Sequence, residues 1–257
     1  MCELFAISSA ELMAPGDLLK SFFSHSKINP NGWGLAIFHG NCVNLEKEPI
    51  KADDSNYLKC RLNSIGNACN LFAHIRKATR GNVCYENCHP FVMNDCMGRT
   101  WTLMHNGTIF NSPHLEPYVQ IQNGMTDSER ILYYIIDRIN ASYYLLERDL
   151  TLEERFKIVD EIVCEISVDN KLNLIIYDSE IFYIHTNYKN SLFVRQERNK
   201  AFFATVPLDQ RVWLPVTFTT LLAYKDGHHI MTGTCHGHEY TDNPEDMQFM
   251  YLDYLEI

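Results

Sequence analysis

Two long helical segments lie in the middle of this chain, between two groups of shorter, strand-like segments. Over residues 128–144 and 152–166, apolar side chains recur every three or four positions, which is the spacing of an amphipathic helix. After residue 170 the pattern changes to short runs rich in β-branched and aromatic residues, at 172–177, 181–185, 192–195 and 201–206. This order predicts an α+β fold in which packed antiparallel sheets are covered by helices.

The segments before the helices have the pattern of strands separated by turns. Residues 2–9 are apolar, which predicts a buried first strand, and residues 71–76 and 100–104 have the same character. Residues 104–110 contain Asn106-Gly107, the strongest short hairpin signal, so a tight turn with its exit strand is expected there. No repeat or flexible linker interrupts the chain, and we expect residues 2–257 to form a single domain.

Charge and cysteine content narrow the class of protein. The 32 acidic residues outnumber the 22 basic ones, which gives a net charge of -10, and an acidic surface repels nucleic acid. No apolar run is long enough to span a bilayer, and the N-terminus lacks a signal-peptide pattern. Nine cysteines are an odd number, which argues against a disulfide framework. We therefore expect a cytoplasmic protein without a nucleic-acid or membrane partner.

Cys2 is the residue whose position carries the most chemical information. Initiator methionine is removed efficiently only when the next side chain is small, and cysteine meets that requirement. Removal would leave a thiol and a free α-amine on one residue, with ordinary pKa values of about 8.5 and about 7.7–8.0. The amine could then act as the base for its own thiol, directly or through a water. By itself, however, a cysteine at position 2 is more often the incidental start of a buried strand.

Two motifs in the first half of the chain have both a structural and a chemical interpretation. Arg76 follows a strand-like segment, so its guanidinium could grip a carboxylate, or it could lie on a solvated basic loop. Asn106 and Gly107 form a hairpin signal, yet an Asn amide beside a Gly backbone N–H can also supply two donors to an oxyanion. Taken singly, each motif favours the structural interpretation.

The motif at the start of the first long helix also has both a structural and a chemical interpretation. Thr126 and Glu129 fit a capping box, in which each side chain would bond a backbone N–H of the other residue. Asp127 lies between them and could instead bind an ammonium group at the N-terminus of the helix. The capping box alone would be a sufficient explanation of this motif.

Two groups of potential metal ligands do not have the spacing of a metal site. Cys84, Cys88 and His89, with Cys96 further on, match no strong zinc pattern. The histidines between residues 228 and 238 are more typical of surface strands and turns. We expect neither a metal nor a cofactor.

Together these motifs resemble the class II glutamine amidotransferases, a family of N-terminal nucleophile hydrolases. Five motifs follow in the order and rough spacing of that family: Cys2 after the initiator, His-Ile-Arg-x-Ala-Thr-x-Gly (74–81), Glu-Asn-x-His-Pro (86–90), His-Asn-Gly (105–107) and Thr-Asp-Ser-Glu (126–129). The opening Met-Cys-Glu-Leu and residues 31–34, 204–208 and 224–227 are similar to the stand-alone YafJ-type branch, which holds the amidotransferase-like subunit of fungal glutathione degradation. The resemblance covers nearly the whole chain.

The resemblance implies a fold, and a role for each matched residue. The implied fold is a four-layer αββα sandwich of two antiparallel sheets. Cys2 matches the nucleophile of the family. The other matched residues are Asn106 and Gly107 for the oxyanion hole, Arg76 for the substrate α-carboxylate, Asp127 for the α-ammonium, and Thr79 in the pocket-lining part of the Arg76 loop.

The implied reaction is hydrolysis of a γ-glutamyl amide through a γ-glutamyl thioester on Cys2, which releases glutamate. The substrate would be glutamine or a γ-glutamyl peptide or conjugate, and we favour the second. Lys77 stands where some relatives have an aromatic residue and Arg80 where many have His, so the pocket rim and the leaving group are open to question.

Two alternatives remain. About thirty residues follow the matched segments, too few for a second core, so a glutaminase that delivers ammonia would need a separate synthase as partner protein. The other alternative is a non-catalytic binding subunit that kept the fold.

Overall fold

A computed structural model of the protein describes residues 2–79 and 81–242, and within these ranges the chain forms four α-helices and thirteen strands. The helices are α1 (Gly16–Ser24), α2 (Asn56–Asn63), α3 (Asp127–Leu146) and α4 (Leu152–Ile166). The two long helices predicted from apolar spacing are therefore confirmed, α4 with the expected bounds and α3 with slightly wider ones. None of the described helices is long and apolar enough to cross a membrane.

The strands form two antiparallel sheets. The first has the order β11-β9-β10-β1-β4-β2-β3 and the second the order β13-β12-β8-β7-β6-β5. The strands are β1 (Glu3–Ser9), β2 (Trp33–His39), β3 (Cys42–Glu48), β4 (Asn70–Ile75), β5 (Phe91–Asn94), β6 (Thr100–Thr108), β7 (Lys171–Tyr177), β8 (Phe182–Thr186), β9 (Phe193–Glu197), β10 (Lys200–Ala204), β11 (Leu214–Pro215), β12 (Thr220–Lys225) and β13 (His228–Cys235).

The central core lies between the two sheets. Successive side chains of a strand point to opposite faces, so Leu4 and Ala6 of β1 share one face. They pack there in one cluster with Met104 of β6 and Ile175 of β7, which belong to the other sheet. All four side chains are fully buried.

The outer faces of both sheets are covered by helices. Phe5 of β1, one position away from the central core, packs in a cluster with Phe22 of α1 and Leu58 of α2. On the far side, apolar residues of α3 and α4 form a third cluster with the second sheet. Three cores between four layers confirm the predicted αββα sandwich and the α+β class.

The predicted turn at residues 104–110 is wrong. Asn106 and Gly107 lie inside β6, where they pair with Asn173 and Leu172 of β7. Strand β7 is more than sixty residues further along the chain, yet it pairs with β6 from Thr102 to Thr108, and this pairing replaces the local hairpin. A Cβ on Gly107 would lie 1.9 Å from the carbonyl oxygen of Lys171, so the glycine permits this close approach of the two strands.

A buried ion pair joins α4 to the second sheet. The side chains of Arg155 and Asp178 are 2% and 0% exposed, and Arg155 Nε donates to Asp178 Oδ2 at 2.8 Å. The guanidinium also donates to the carbonyl of Leu150 and to Glu180, while the hydroxyl of Tyr183 donates to Asp178. Each buried polar group therefore has a partner, which is the condition under which such a pair is tolerated.

Replacing Arg155 by alanine is expected to lower the free energy of unfolding by about 3–5 kcal/mol, because it leaves the Asp178 carboxylate buried without its counter-charge. The matched control is Arg148→Ala, since Arg148 pairs with Glu154 at 2.6 Å on the surface. Solvent screens that pair, so its loss should be much smaller. Denaturant unfolding measures both variants, and equal losses would contradict the structural role given to Arg155.

Candidate active site

The candidate site lies at one end of the space between the sheets. Cys2 stands two positions before Leu4 and Asn106 two positions after Met104, so the period of the strands turns both toward the other sheet. Since β1 and β4 are antiparallel, the beginning of β1 lies beside the end of β4, where Arg76 follows. Strand topology thus brings together residues that are far apart in the sequence.

The Cys2 thiol is half-buried and contacts the backbone of Lys77. The Lys77 N–H donates to Cys2 Sγ at 3.4 Å, and Sγ lies 3.5 Å from the Lys77 carbonyl oxygen. Burial raises the pKa of the thiol, while the Lys77 N–H and the charge of Arg76 act in the opposite direction. A raised pKa keeps the thiol protonated near neutral pH, so reaction at this sulfur requires a base.

Arg76 is almost completely buried at the end of β4, with 3% of its surface exposed. Its Nη1 donates to the carbonyl of Asn82 at 2.9 Å and its Nη2 to the carbonyl of Gly81 at 3.1 Å. These contacts fix the plane of the guanidinium. The structure therefore excludes the alternative in which Arg76 lies on a solvated loop.

Asn106 lies directly against the candidate nucleophile. Its Nδ2 donates to the backbone carbonyl of Cys2 at 2.7 Å, and its buried Oδ1 accepts no hydrogen bond within the described residues. The half-buried Gly107 follows in the same strand. An amide group thus stands beside Cys2 across the boundary between the two sheets.

Asp127 is the first residue of α3 and is 6% exposed. Its Oδ2 accepts from the backbone N–H of Ile109 at 2.6 Å, two residues beyond Gly107, which ties the start of the helix to the end of β6. The Asp127 charge also acts on the Cys2 thiol and tends to raise its pKa. The Ile109 contact places Asp127 just beyond the end of β6, the strand that carries Asn106 and Gly107.

The capping box expected at the start of α3 is absent. Thr126 is the N-cap residue, but its side chain makes no capping hydrogen bond. The Glu129 carboxylate accepts instead from the backbone N–H groups of Asn123 and Gly124, at 3.0 and 2.8 Å, and so folds the preceding loop onto the helix. A complete capping box does occur at Thr151, the N-cap residue of α4.

The rest of the Arg76 loop is described in part. Thr79 is half-buried, and its pocket-lining role stays a prediction. Lys77 is exposed beside the Cys2 thiol, in keeping with a position at the rim. Arg80, the second rim cation considered from the sequence, lies outside the described residues.

Sequence reasoning gave no role to His105, which links the candidate oxyanion strand to α3. Its Nε2 lies 3.1 Å from the carbonyl oxygen of Lys171, and its Nδ1 lies 3.0 Å from the hydroxyl of Ser128. Burial lowers the pKa of His105, so the ring is neutral near pH 7. Because a carbonyl only accepts, the proton is on Nε2 and Nδ1 is an acceptor. The Ser128 hydroxyl faces both this nitrogen and Asp127 Oδ1, at 3.0 and 3.3 Å.

A pair of buried histidines lies on the inter-sheet side of β4. The rings of His74 and His89 stack with centroids 4.2 Å apart, and none of their four nitrogens has a hydrogen-bond partner within the described residues. Burial lowers the pKa of His74 to about 3 and that of His89 well below its ordinary range. Both rings are therefore neutral in the folded protein near pH 7.

This burial predicts a pH-dependent stability. Between the ordinary histidine pKa of about 6.5 and the native value of about 3, the unfolded chain binds a proton at His74 that the folded chain does not. Folding is then weakened by up to about 1.4 kcal/mol per pH unit as the pH falls through this window, and is unaffected above it. His74→Phe keeps a stacked ring without a titrating group. Wild type should therefore lose stability relative to this variant from pH 6.5 to 4, and parallel denaturant curves would contradict the assignment.

The described residues contain no group of three or more His, Cys, Asp or Glu side chains arranged to hold a metal ion. Among the cysteines considered from the sequence, Cys88 is buried and its thiol faces the backbone carbonyls of Glu48 and Cys84. His185 and His236 approach each other, with 3.0 Å between their Nε2 atoms, and the ring of His238 stacks on that of His236, but these side chains are not arranged to hold a metal ion. No disulfide joins any two cysteines within the described part of the chain.

Comparisons with known proteins agree with this arrangement. The family model of class-II glutamine amidotransferases matches residues 1–198. Protein MJ1515 of Methanocaldococcus jannaschii is 32% identical over 192 residues, which cover 74% of this chain and 52% of that protein. YafJ of Escherichia coli, which carries the name of a glutamine amidotransferase, is 28% identical over 195 residues, 73% of this chain and 74% of YafJ. The chain thus spans about half the length of MJ1515 and 74% of the length of YafJ.

Solved structures share the fold. A predicted glutamine amidotransferase of Pseudomonas aeruginosa superimposes with a TM-score of 0.62 at 19% identity, over 90% of this chain and all of that one. Glutamine phosphoribosylpyrophosphate amidotransferase of Bacillus subtilis superimposes with a TM-score of 0.65 at 16% identity, over 90% of this chain but 48% of that one. At these identities the likeness concerns the fold alone, which is that of the N-terminal nucleophile hydrolases.

Proposed function

Because this chain belongs to the class-II glutamine amidotransferases, we propose that it cuts the side-chain amide of a glutamyl group with the Cys2 thiol as nucleophile. Family membership makes the chain an enzyme of the glutamine-using type. The observation that carries the finer proposal is the arrangement around Cys2. The Asn106 amide donates to the Cys2 carbonyl, and the N–H of Lys77, the residue after Arg76, donates to the Cys2 sulfur. Asp127 is tied to the end of the strand that carries Asn106.

The two charged residues suit the two ends of an α-amino acid. The Arg76 guanidinium would bind the α-carboxylate and the Asp127 carboxylate the α-ammonium group. Arg76 is fixed by loop carbonyls and Asp127 by the N–H of Ile109, so neither has to be ordered when substrate arrives. With both ends held, the side-chain carbonyl of the glutamyl group would face Cys2 at close range.

The chemistry then proceeds in two steps. The Cys2 sulfur attacks the side-chain carbonyl carbon, an S–C bond forms, and the C–N bond to the leaving amine breaks. The thiol proton passes to that nitrogen by way of the α-amine, which is free once Met1 is removed. Water next attacks the γ-glutamyl thioester, releases glutamate and restores the thiol.

The oxyanion formed in both steps would be stabilised by Asn106 and Gly107. A primary amide has two N–H groups, and one of those on Asn106 already bonds the Cys2 carbonyl. The other, with the backbone N–H of Gly107, would supply the two donors that such an intermediate needs. The shared strand β6 fixes these donors relative to each other before the reaction starts.

For the leaving group we favour the amine of a γ-glutamyl peptide or conjugate over ammonia. The support is Lys77, an exposed cation whose own backbone touches the Cys2 sulfur, where it could bind an acidic group on a larger leaving amine. We treat residues 2–257 as one domain of this type, which would then need no second active site. The competing function is ammonia delivery to a separate synthase. It is suggested by the amidotransferase of Bacillus subtilis, of which 48% is matched by this chain.

The test compares glutamate release from glutamine and from γ-glutamyl peptides at equal concentration, with and without cell extract, for wild type and Lys77→Ala. The proposal predicts faster release from peptides with an acidic leaving portion, and a selective loss of that preference in the variant. Glutamine as the far better substrate in both conditions would favour ammonia delivery. Release from no substrate would favour a non-catalytic binding subunit.

A further inference from the structure

Asn87 is a fully buried amide at the end of the short helical turn Tyr85–Asn87. Its Nδ2 donates to the carbonyl of Asn82 at 2.9 Å, and its Oδ1 accepts from the backbone N–H of Met125 at 2.7 Å. The donor faces a carbonyl and the acceptor faces an N–H, so only this orientation of the amide satisfies both contacts. Among side chains in their usual charge states at neutral pH, only an amide offers both functions on one carbon.

The two partners of Asn87 belong to the two loops that carry the proposed substrate contacts. The Asn82 carbonyl that accepts from Asn87 also accepts from Nη1 of Arg76, at 2.9 Å. Met125 stands two positions before Asp127 and leads into α3. A single side chain thus connects the loop that orients Arg76 to the segment that positions Asp127.

Two glycines provide independent evidence for this connection. A Cβ on Gly124 would lie 2.4 Å from Asn87 Oδ1, and a Cβ on Gly81 would lie 2.8 Å from Asn87 Nδ2. Both distances are shorter than van der Waals contact, so each loop approaches the Asn87 amide as closely as a glycine allows. The amide is enclosed from both sides by the loops that it joins.

We infer that Asn87 is a positioning residue that sets the distance between Arg76 and Asp127, and thereby fits the site to the α-carboxylate and α-ammonium of a glutamyl group. The inference rests on the proposed function. Asn87 touches neither the reacting atoms nor the thiol. It acts through Asn82 and Met125, and it holds the recognition end of the site rather than the nucleophile.

The test begins with Asn87→Asp, which keeps the size of the side chain. When the new carboxyl group is ionised, one of its oxygens still accepts from Met125 and the other repels the Asn82 carbonyl. The kinetics are therefore measured at the highest pH at which wild type is fully active, which favours the ionised form. A displacement of the two recognition loops should raise KM for the best glutamyl substrate about tenfold to a hundredfold, with kcat nearly unchanged. Inactivation by a glutamine-like diazoketone should slow by a similar factor, whereas alkylation of Cys2 by iodoacetamide, which has no amino-acid end, should not change.

The matched control is Asn41→Ala. Asn41 makes the same two kinds of contact at the opposite end of β6, since its Nδ2 donates to the Gly98 carbonyl and its Oδ1 accepts from the Thr100 N–H. It joins two turns far from Cys2, so KM should stay at the wild-type value. If KM rises for this variant as much as for Asn87→Asp, the rise reflects a general loosening of the structure rather than a positioning role. That result would overturn the inference.

A second variant disturbs the contact between Asn87 and the segment before α3 without altering Asn87 itself. Gly124→Ala should push residues 124–125 away from the amide and raise KM as well. A third variant, Asn87→Ala, removes the amide that the new methyl group at position 124 would strike. The rise in KM for Asn87→Ala combined with Gly124→Ala should therefore be smaller than the product of the rises for these two single variants. Independent, multiplying effects would overturn the inference.

Binding separates the inference from the proposed function. Calorimetric titration with glutamate should show weaker binding by Asn87→Asp than by wild type. An active wild type, with unchanged KM and unchanged glutamate affinity in the variant, would overturn the positioning role alone. A wild type that neither cleaves glutamyl substrates nor binds glutamate would overturn the proposed function and, with it, the inference.

Discussion

Cys2→Ala should abolish glutamate release, with a fall in kcat on the order of 10⁶-fold, as when the nucleophile of a hydrolase is removed. Alanine is as compatible with methionine removal as cysteine, so the variant keeps the free α-amine and loses only the thiol. The rest of the site should persist, because Asn106 contacts the backbone of Cys2 rather than its side chain. Glutamate should therefore still bind, and calorimetry can verify that it does.

The control for this prediction is another cysteine. Cys60 is an exposed thiol on α2, on the outer side of the first sheet, and Cys60→Ala should leave glutamate release at the wild-type rate. For the same reason a glutamine-like diazoketone should label Cys2 alone among the nine cysteines. Peptide mass mapping decides this, and label spread over several cysteines would contradict a single glutamyl pocket.

Asn106→Ala should lower kcat on the order of 10²–10³-fold while KM changes little. The charge that the Asn106 amide would meet appears only in the transition state, so its loss affects turnover rather than substrate binding. Arg76→Lys and Asp127→Asn should show the reverse pattern, a raised KM with kcat nearly retained. These residues would hold groups whose charge does not change during the reaction.

The two recognition variants are chosen to preserve the local structure. Lysine keeps a positive charge at position 76 but loses the planar fork, and asparagine at position 127 keeps an acceptor for the Ile109 N–H but loses the charge. Steady-state kinetics on glutamyl substrates separate the two classes. Unchanged turnover in Asn106→Ala would remove the oxyanion assignment, and unchanged KM in Asp127→Asn would remove the ammonium contact.

Much of the fold follows from the sequence because its elements have strong local patterns. The apolar spacing of α3 and α4 identified both helices, and the apolar run of β1 reflects burial on both faces, against the second sheet and against α1. Clustering of the candidate site also followed, although from the resemblance of ordered motifs rather than from any single residue. The structure places Asn106 against Cys2 and the residue after Arg76 against its sulfur, while the roles of Cys2, Arg76, Asn106 and Asp127 stay predictions.

The errors arose where contacts from outside the motif override its local signal. The Asn106-Gly107 pair has the composition of a hairpin, but its partner strand β7 begins at Lys171. The Thr126 motif has the composition of a capping box, but the Glu129 carboxylate accepts hydrogen bonds from the backbone N–H groups of Asn123 and Gly124 instead. In both places contacts made outside the motif decide the local conformation, by a distant strand in the first case and by the preceding loop in the second, and the motif itself contains no information about them.

The positioning residues could not be assigned for a related reason. Asn87 and His105 both lie in motifs that the sequence displays, yet the groups they connect are known only from the structure. Asn87 joins the loops of Asn82 and Met125, and His105 bridges Lys171 and Ser128. The role of such a side chain depends on which two backbones approach it, and that is a property of the fold.

The central claim is that Cys2 carries a γ-glutamyl thioester during the reaction, and trapping that species tests it most directly. Enzyme that lacks Met1 is mixed with its best glutamyl substrate, quenched in acid within the first turnovers, and examined by intact-mass and peptide mass spectrometry. We predict an added glutamyl group on the Cys2 peptide, which hydroxylamine removes and which is absent from Cys2→Ala. Rapid glutamate release by an enzyme that still carries Met1, or by Cys2→Ala, would contradict the account.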